Sequence, residues 1–185
     1  MRLFVALNFP TMLRDALWDA GEPLRRRAWP VNWVRPEGLH LTLKFLGEVE
    51  PDREPALVAA LGAAAAGARS LPLAVGGFGV FPDLQRPRVL WVGISADPAL
   101  ELLQHRVEQE FAPLGFPTEP RAFRPHLTLG RARKDARPAD FTGLTEALAG
   151  LAFERTAVIA TVDLMQSTLQ SGGAVYQVRH GERLS

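Results

Sequence analysis

The chain opens on an apolar run, Leu3 to Asn8, of strand length, and then changes period. Leu13, Ala16, Leu17, Ala20 and Leu24 recur at the spacing of a helix that starts near Thr11, with Pro23 expected to break or kink its last turn. HLTLKFLG alternates around His40 and reads as a second strand. Asp52 is placed to cap the helix that follows through LVAALGAAAAGA, and Gly67 to stop it. Leu71 to Phe81 reads as extended but glycine-interrupted, and FPDLQRPR as a proline-punctuated loop leading into the buried strand VLWVGI.

The order then repeats. Asp97 and Pro98 open a helix with an apolar stripe of Leu100, Leu103, Val107 and Phe111. A loop containing Pro113, Pro117 and Pro120 leads to the strand HLTLGRAR and a short helix around Phe141, Leu144 and Leu148. Two strands, Phe153 to Leu169 and Ala174 to His180, end the chain, with Gly172 and Gly173 marking their hairpin. Both halves read strand, helix, HLTL strand, helix, strand, and Arg-Pro precedes each tetrapeptide, as Arg35-Pro36 and Arg124-Pro125. This predicts an internal duplication or pseudo-twofold arrangement, with pseudo-repeats of roughly 1–87 and 88–185 inside one domain spanning 1–185. Face to face, two such halves form two sheets flanked by helices, with a cleft between the HLTL strands.

Composition narrows the classes. A length of 185 residues suits one compact domain, and 47% hydrophobic with 22% charged residues is ordinary globular usage. The N-terminal apolar run is too short for a signal peptide or a membrane span, so a cytoplasmic protein is expected. The absence of cysteine excludes disulfides, iron-sulfur clusters, thiolate-zinc sites and thiol catalysis. A net charge of +1 excludes a polycation that coats nucleic acid. Local basic groups remain: Arg25 to Arg27; Arg86 and Arg88; and Arg131, Arg133, Lys134 and Arg137.

In a strand, residues two apart share a face, so His40 with Thr42, and His126 with Thr128, project together while leucines anchor them from behind. Two histidines across a cleft supply what in-line phosphodiester hydrolysis needs: one takes a proton from water, the other protonates the departing oxygen. Threonine hydroxyls and a nearby arginine can hold the phosphate oxygens. This scheme requires no metal and no cofactor. His105 lies opposite its helix's apolar stripe, and His180 is in line with Tyr176 and Val178; both read as outside the chemistry.

The paired motifs His40-Leu41-Thr42-Leu43 and His126-Leu127-Thr128-Leu129, with MRLFVALNFP, RPEGLHLTLKFLGEV, GGFGVFPDLQRPRVLWVG and FRPHLTLGRAR around them, resemble the two-histidine phosphoesterases over nearly the whole chain. The likeness is to their bacterial and archaeal RNA 2′,3′-cyclic phosphodiesterase branch, also called 2′-5′ RNA ligase. The resemblance implies a bilobal α+β fold with two antiparallel sheets. It also implies hydrolysis of a terminal 2′,3′-cyclic phosphate to a 2′-phosphate, with His40 as proton donor to the 3′ oxygen and His126 as proton acceptor from water. Thr42, Thr128 and Arg131 then bind phosphate, and Phe45 stacks on the terminal base. The implied partner is RNA with a cyclic phosphate end, bound by a monomer and not by a membrane.

Strict alternation puts Arg131 and Phe45 on the wrong face. A bulge near Gly130 would re-aim Arg131, whereas Phe45, with no such local excuse, is compatible with a core position. Lys44 shares His40's parity and reads as a solvated rim charge. A non-catalytic RNA-end binder and a phosphodiesterase of small cyclic nucleotides or sugar-nucleotide cyclic phosphates remain as rival readings. Any 2′-5′ ligation would be ATP-independent, since no G-x-x-x-x-G-K-[ST] occurs.

Overall fold

The leucines beside each histidine decide where the two motif strands sit. Leu39, Leu41 and Leu43 near the first, and Leu127 and Leu129 in the second, are buried in one core. Burial of such a side chain contributes roughly 1.5–3 kcal/mol. In the computed structural model, which describes residues 1–185, the motif strands are β3 (His40–Glu48) and β6 (His126–Ala132).

Before β3 come β1 (Arg2–Asn8), α1 (Thr11–Ala20), the single turn α2 (Glu22–Arg25) and β2 (Val31–Trp33). Between the motif strands run α3 (Glu54–Ala65), β4 (Leu71–Asp83), β5 (Arg86–Ile94) and α4 (Pro98–Phe111). After β6 follow α5 (Leu144–Ala149), β7 (Glu154–Ile159), β8 (Thr161–Gln170) and β9 (Gly173–Arg183). The architecture is α+β with two antiparallel sheets: a first sheet in the order β3-β1-β8-β9 and a second in the order β2-β6-β5-β4-β7.

From its motif strand outward each sheet follows one plan. β3 pairs with β1 and β6 with β5; β8 then lies beside β1 and β4 beside β5, and C-terminal strands complete both sheets, β8 and β9 in the first and β7 beside β4 in the second. Leu3, Val5 and Leu7 of β1, Leu71, Leu73 and Val75 of β4, and Val92 and Ile94 of β5 share the main core with the apolar faces of α1, α3 and α4. A smaller core of Leu24, Trp29, Val31, Val80, Leu90, Phe141, Leu144 and Leu148 lies under the far end of the second sheet. No helix is long and apolar enough to cross a membrane.

Several elements differ from the pattern reading. FPDLQRPR is not a loop: β4 and β5 run to Asp83 and Arg86, and the turn is closed by Asp83 Oδ1, which accepts from the Gln85 and Arg86 amides at 3.0 and 2.9 Å. The single strand expected from Phe153 to Leu169 is two, β7 and β8, which change sheets at Ala160. The first helix already ends at Gly21, so Pro23 sits in the first turn of α2, where a missing amide hydrogen costs nothing. Asp52 lies in a 3₁₀ turn and does not cap α3, whereas Asp97 caps α4 by accepting from Ala99 and Leu100 at 2.8 and 3.0 Å. The three residues of β2 are too few to show a period.

Candidate active site

In both motif strands alternation is broken at the same place. Along β3, Lys44 pairs with Val5 and Thr42 with Ala6, so Leu43 has no partner; along β6, Gly130 pairs with Leu90 and Thr128 with Trp91, so Leu129 has none. Each is a β-bulge, in which two consecutive residues turn inward and every later side chain changes face. Phe45, which parity put in the core, is 66% exposed and shares the face of His40 and Thr42. Arg131 returns in the same way to the face of His126 and Thr128. The bulge anticipated near Gly130 is thus present, and an unanticipated twin sits in β3.

Opposite chemistry fills the two inward positions. A Cβ on Gly130 would come within 2.6 Å of Val31 Cγ1 and 2.8 Å of Trp33 Cε3, so the second bulge closes around a residue without a side chain. Lys44, expected as a rim charge, is buried: its Nζ donates to Glu108 Oε2 at 2.7 Å and to the Pro117 carbonyl at 2.8 Å. Glu108 also accepts from the Glu119 amide at 3.1 Å, which ties the segment leading to His126 back to β3.

Each half-buried imidazole is packed among aromatics. His40 lies 4.8 Å from the Phe4 ring and 5.0 Å, edge-on, from Tyr176; His126 lies 5.0 Å, edge-on, from Phe81 and 6.4 Å from Trp91. His126 Nδ1 is 2.6 Å from the Arg124 carbonyl, which can only accept, so that nitrogen carries the proton and Nε2 is left with a free lone pair. Burial, with Arg131's charge added, lowers the pKa of His40 to about 4 against the upward pull of the Gly38 backbone, also two residues upstream. His126 is lowered by the same causes. β3 and β6 approach each other, which brings the two motifs together.

Thr42 and Thr128 stand partly buried beside their histidines. Arg131 is exposed, its guanidinium open to solvent while its backbone pairs with Asn32 and Val89. Of the other basic groups, Arg25 lies 3.7 Å over the Trp18 ring, Arg26 pairs with Glu22 at 2.8 Å, and Arg88 donates to the Ala132 and Arg133 carbonyls. His105 is exposed, as expected. A register shift leaves Arg179 without a partner on β8 and turns His180 away from the face of Tyr176, to meet Glu182 Oε1 at 2.7 Å. No cluster of three or more His, Cys, Asp or Glu side chains is arranged to hold a metal ion. Phe4, Tyr176, Phe81 and Trp91 are cleft residues that pattern reasoning missed; alternation placed each on a strand face, but only strand pairing brings that face to a histidine.

A family model described as the 2′-5′ RNA ligase superfamily matches residues 13–168. A protein of Methanothermobacter thermautotrophicus named RNA 2′,3′-cyclic phosphodiesterase is 30% identical over 178 residues, 95% of this chain and 95% of that protein. One of the same name from Geobacillus stearothermophilus is 37% identical over 139 residues, 73% of this chain but 43% of that protein's length. The crystal structure of TT0787 of Thermus thermophilus is similar with a TM-score of 0.82 at 28% identity, over 100% of this chain and 98% of that one.

Proposed function

Because the chain belongs to the 2′-5′ RNA ligase superfamily, we infer that it is an RNA 2′,3′-cyclic phosphodiesterase in which two histidines exchange protons across the cleft. The observation that carries the two-histidine reading is the matched placement of His40 and His126, each half-buried against aromatic rings at the start of a motif strand and each followed by the same bulge.

His126, neutral and with its Nε2 lone pair free, takes a proton from water. The water oxygen attacks phosphorus in line with the 3′ oxygen, the P–O3′ bond breaks, and His40 gives its proton to the departing oxygen, leaving a 2′-phosphate. Thr42 and Thr128 donate to the non-bridging oxygens, and Arg131 stabilises the charge that builds on them. Phe45, large, exposed and 6.2 Å from Phe4, offers the terminal base a stacking surface. With an RNA 5′-hydroxyl in place of water as the nucleophile, the same steps in the same direction, with the P–O3′ bond broken and the O2′–P bond kept, join ends by a 2′-5′ bond without ATP. One chain supplies both motifs, so the cleft is complete in a monomer.

The test is to incubate EDTA-treated protein with an RNA oligomer ending in a 2′,3′-cyclic phosphate and to locate the product's phosphate. A 2′-phosphate, formed undiminished after EDTA, is expected. A 3′-phosphate reverses the acid and base assignments, and an unchanged RNA end removes the activity.

A further inference from the structure

One buried charge takes no part in these steps. Asp163 of β8, buried to 6% exposure, accepts a hydrogen bond at 2.8 Å from Nδ2 of Asn8, the last residue of β1. Burial holds its carboxyl above the ordinary aspartate range, while the bonds from Asn8 and Thr161 and the charge of His180 pull the other way. Space for the carboxylate is left by Gly181, where a Cβ would come within 2.7 Å of Asp163 Oδ1. A buried carboxylate is costly unless its contacts serve something, and here the contact is with a half-buried amide.

Asn8 pairs directly with His40. Residues facing each other across antiparallel strands share a face, with Cβ atoms about 4.5–5.5 Å apart. Asn8 therefore belongs to the cleft face, in line with Ala6 and Phe4, which pair with Thr42 and Phe45. Its Nδ2 is taken by Asp163, with Met165 Sδ at 3.4 Å as a second contact. A carboxylate has no hydrogen to give, so the amide cannot turn round without losing that bond. Its oxygen is thereby left as a fixed, unshared acceptor next to His40. The residue opposite His126 is Gly93, which has no side chain, so the acceptor stands on one side of the cleft only.

We propose that Asn8 is a specificity-determining residue, whose amide oxygen receives the 3′-hydroxyl formed when the cyclic phosphate opens. This rests on the reading above, in which His40 delivers its proton to O3′. Once the P–O3′ bond has broken and that proton has arrived, O3′–H is a donor, and Oδ1 of Asn8 is the acceptor beside it. No ester oxygen of the intact ring can make that bond. The contact thus favours opening toward the 2′-phosphate, and Asp163 acts as a positioning residue by holding the amide in that sense.

The experiment compares adenosine 2′-monophosphate with its 3′-deoxy analogue as inhibitors of cyclic-phosphate RNA hydrolysis, in the wild type, Asn8→Ala, Asn8→Ser and Asp163→Asn. The wild type should bind the hydroxyl-bearing nucleotide about 5- to 10-fold more tightly, the worth of one hydrogen bond. Asn8→Ala should bind both alike. Asp163→Asn, whose new amide can accept or donate, frees the Asn8 amide to flip and should retain only part of the preference. A general loosening of the cleft weakens both ligands equally and leaves their ratio at the wild-type value, so an unchanged ratio in Asn8→Ala overturns the proposal, as does a wild type without preference. Asn8→Ser, too short to place its oxygen in the same position, should lose the preference and carries the test if Asn8→Ala does not fold. If the wild type yields a 3′-phosphate, the acid and base assignments fall; if it yields a 2′-phosphate and Asn8→Ala keeps its selectivity, only the role of Asn8 does.

Discussion

Burial leaves His40 neutral near pH 7, whereas the acid of the proposed reaction must hold a proton. An anionic phosphate beside Arg131 offsets the charge that repels that proton and so raises both imidazole pKa values on binding. NMR titration of the ring protons should find His40 near 4 in the free protein and clearly higher with inorganic phosphate bound; a value that phosphate does not move would contradict this coupling. Both rings titrate low when free, so the kcat/KM profile should be a bell with its maximum on the acid side of the ordinary histidine value, about 6.5. Its limbs belong to the pair and not to either ring. His40→Ala and His126→Ala should each lower turnover about 10²- to 10⁴-fold with little change in the urea midpoint, since both rings border the cleft. For Arg131, replacement by alanine should slow the chemical step strongly and lysine should restore only part, because a point charge cannot make two parallel bonds. Arg133→Ala is the control: it should alter RNA affinity and its salt dependence more than the chemical step, and equal losses at the two positions would reduce Arg131 to general attraction.

The bulges explain what could be read in the strands and what could not. The histidines, the threonines and the leucines behind them obey alternation up to the bulge, so their faces were legible from HLTL alone. Phe45 and Lys44 lie beyond it, and both exchange the faces that parity assigned them. The cause is not local: Lys44 goes inward because Glu108, 64 residues away, awaits it, and Asn8 gains meaning only through register with His40. Lys44→Ala should cost about 3–5 kcal/mol in urea unfolding, since it leaves Glu108 charged and buried. Pairing Lys44→Met with Glu108→Leu should recover most of that stability, because no unpaired charge remains. If bulge and pair are mutually dependent, the double variant should still lose affinity for the terminal base as Phe45 shifts; unaltered affinity would mean that the bulge stands by itself.

At the scale of the whole molecule, two features were readable in outline. The repeated order of elements and the recurrence of HLTL pointed to two sheets about a cleft, and we propose that the chain is one domain built of two pseudo-repeats meeting near residue 87. The exchange of strands was not readable, because a period of two does not say which sheet a strand will join; β7 and β8 run on in sequence yet part at Ala160. Acid stability follows from both histidines together. Each binds its proton more weakly folded than unfolded, so between about 4 and about 6.5 the unfolded chain holds more protons. The stability they permit is complete above that window and declines as pH falls through it; His40→Ala should flatten the decline in a series of urea midpoints. The strand exchange also bears on how the protein is made. β1 leaves the ribosome long before β8, but Arg2 pairs with Ser167, and Ser185 hydrogen-bonds to Ala68. At roughly 5–20 residues per second, β1 waits on the order of 10–30 s for β8, its core-facing leucines uncovered on that side. A nascent chain stalled before β8 should therefore hold its second sheet in part and, of its first, only the β3–β1 pair, and would be a natural client for a chaperone until β8 and β9 arrive.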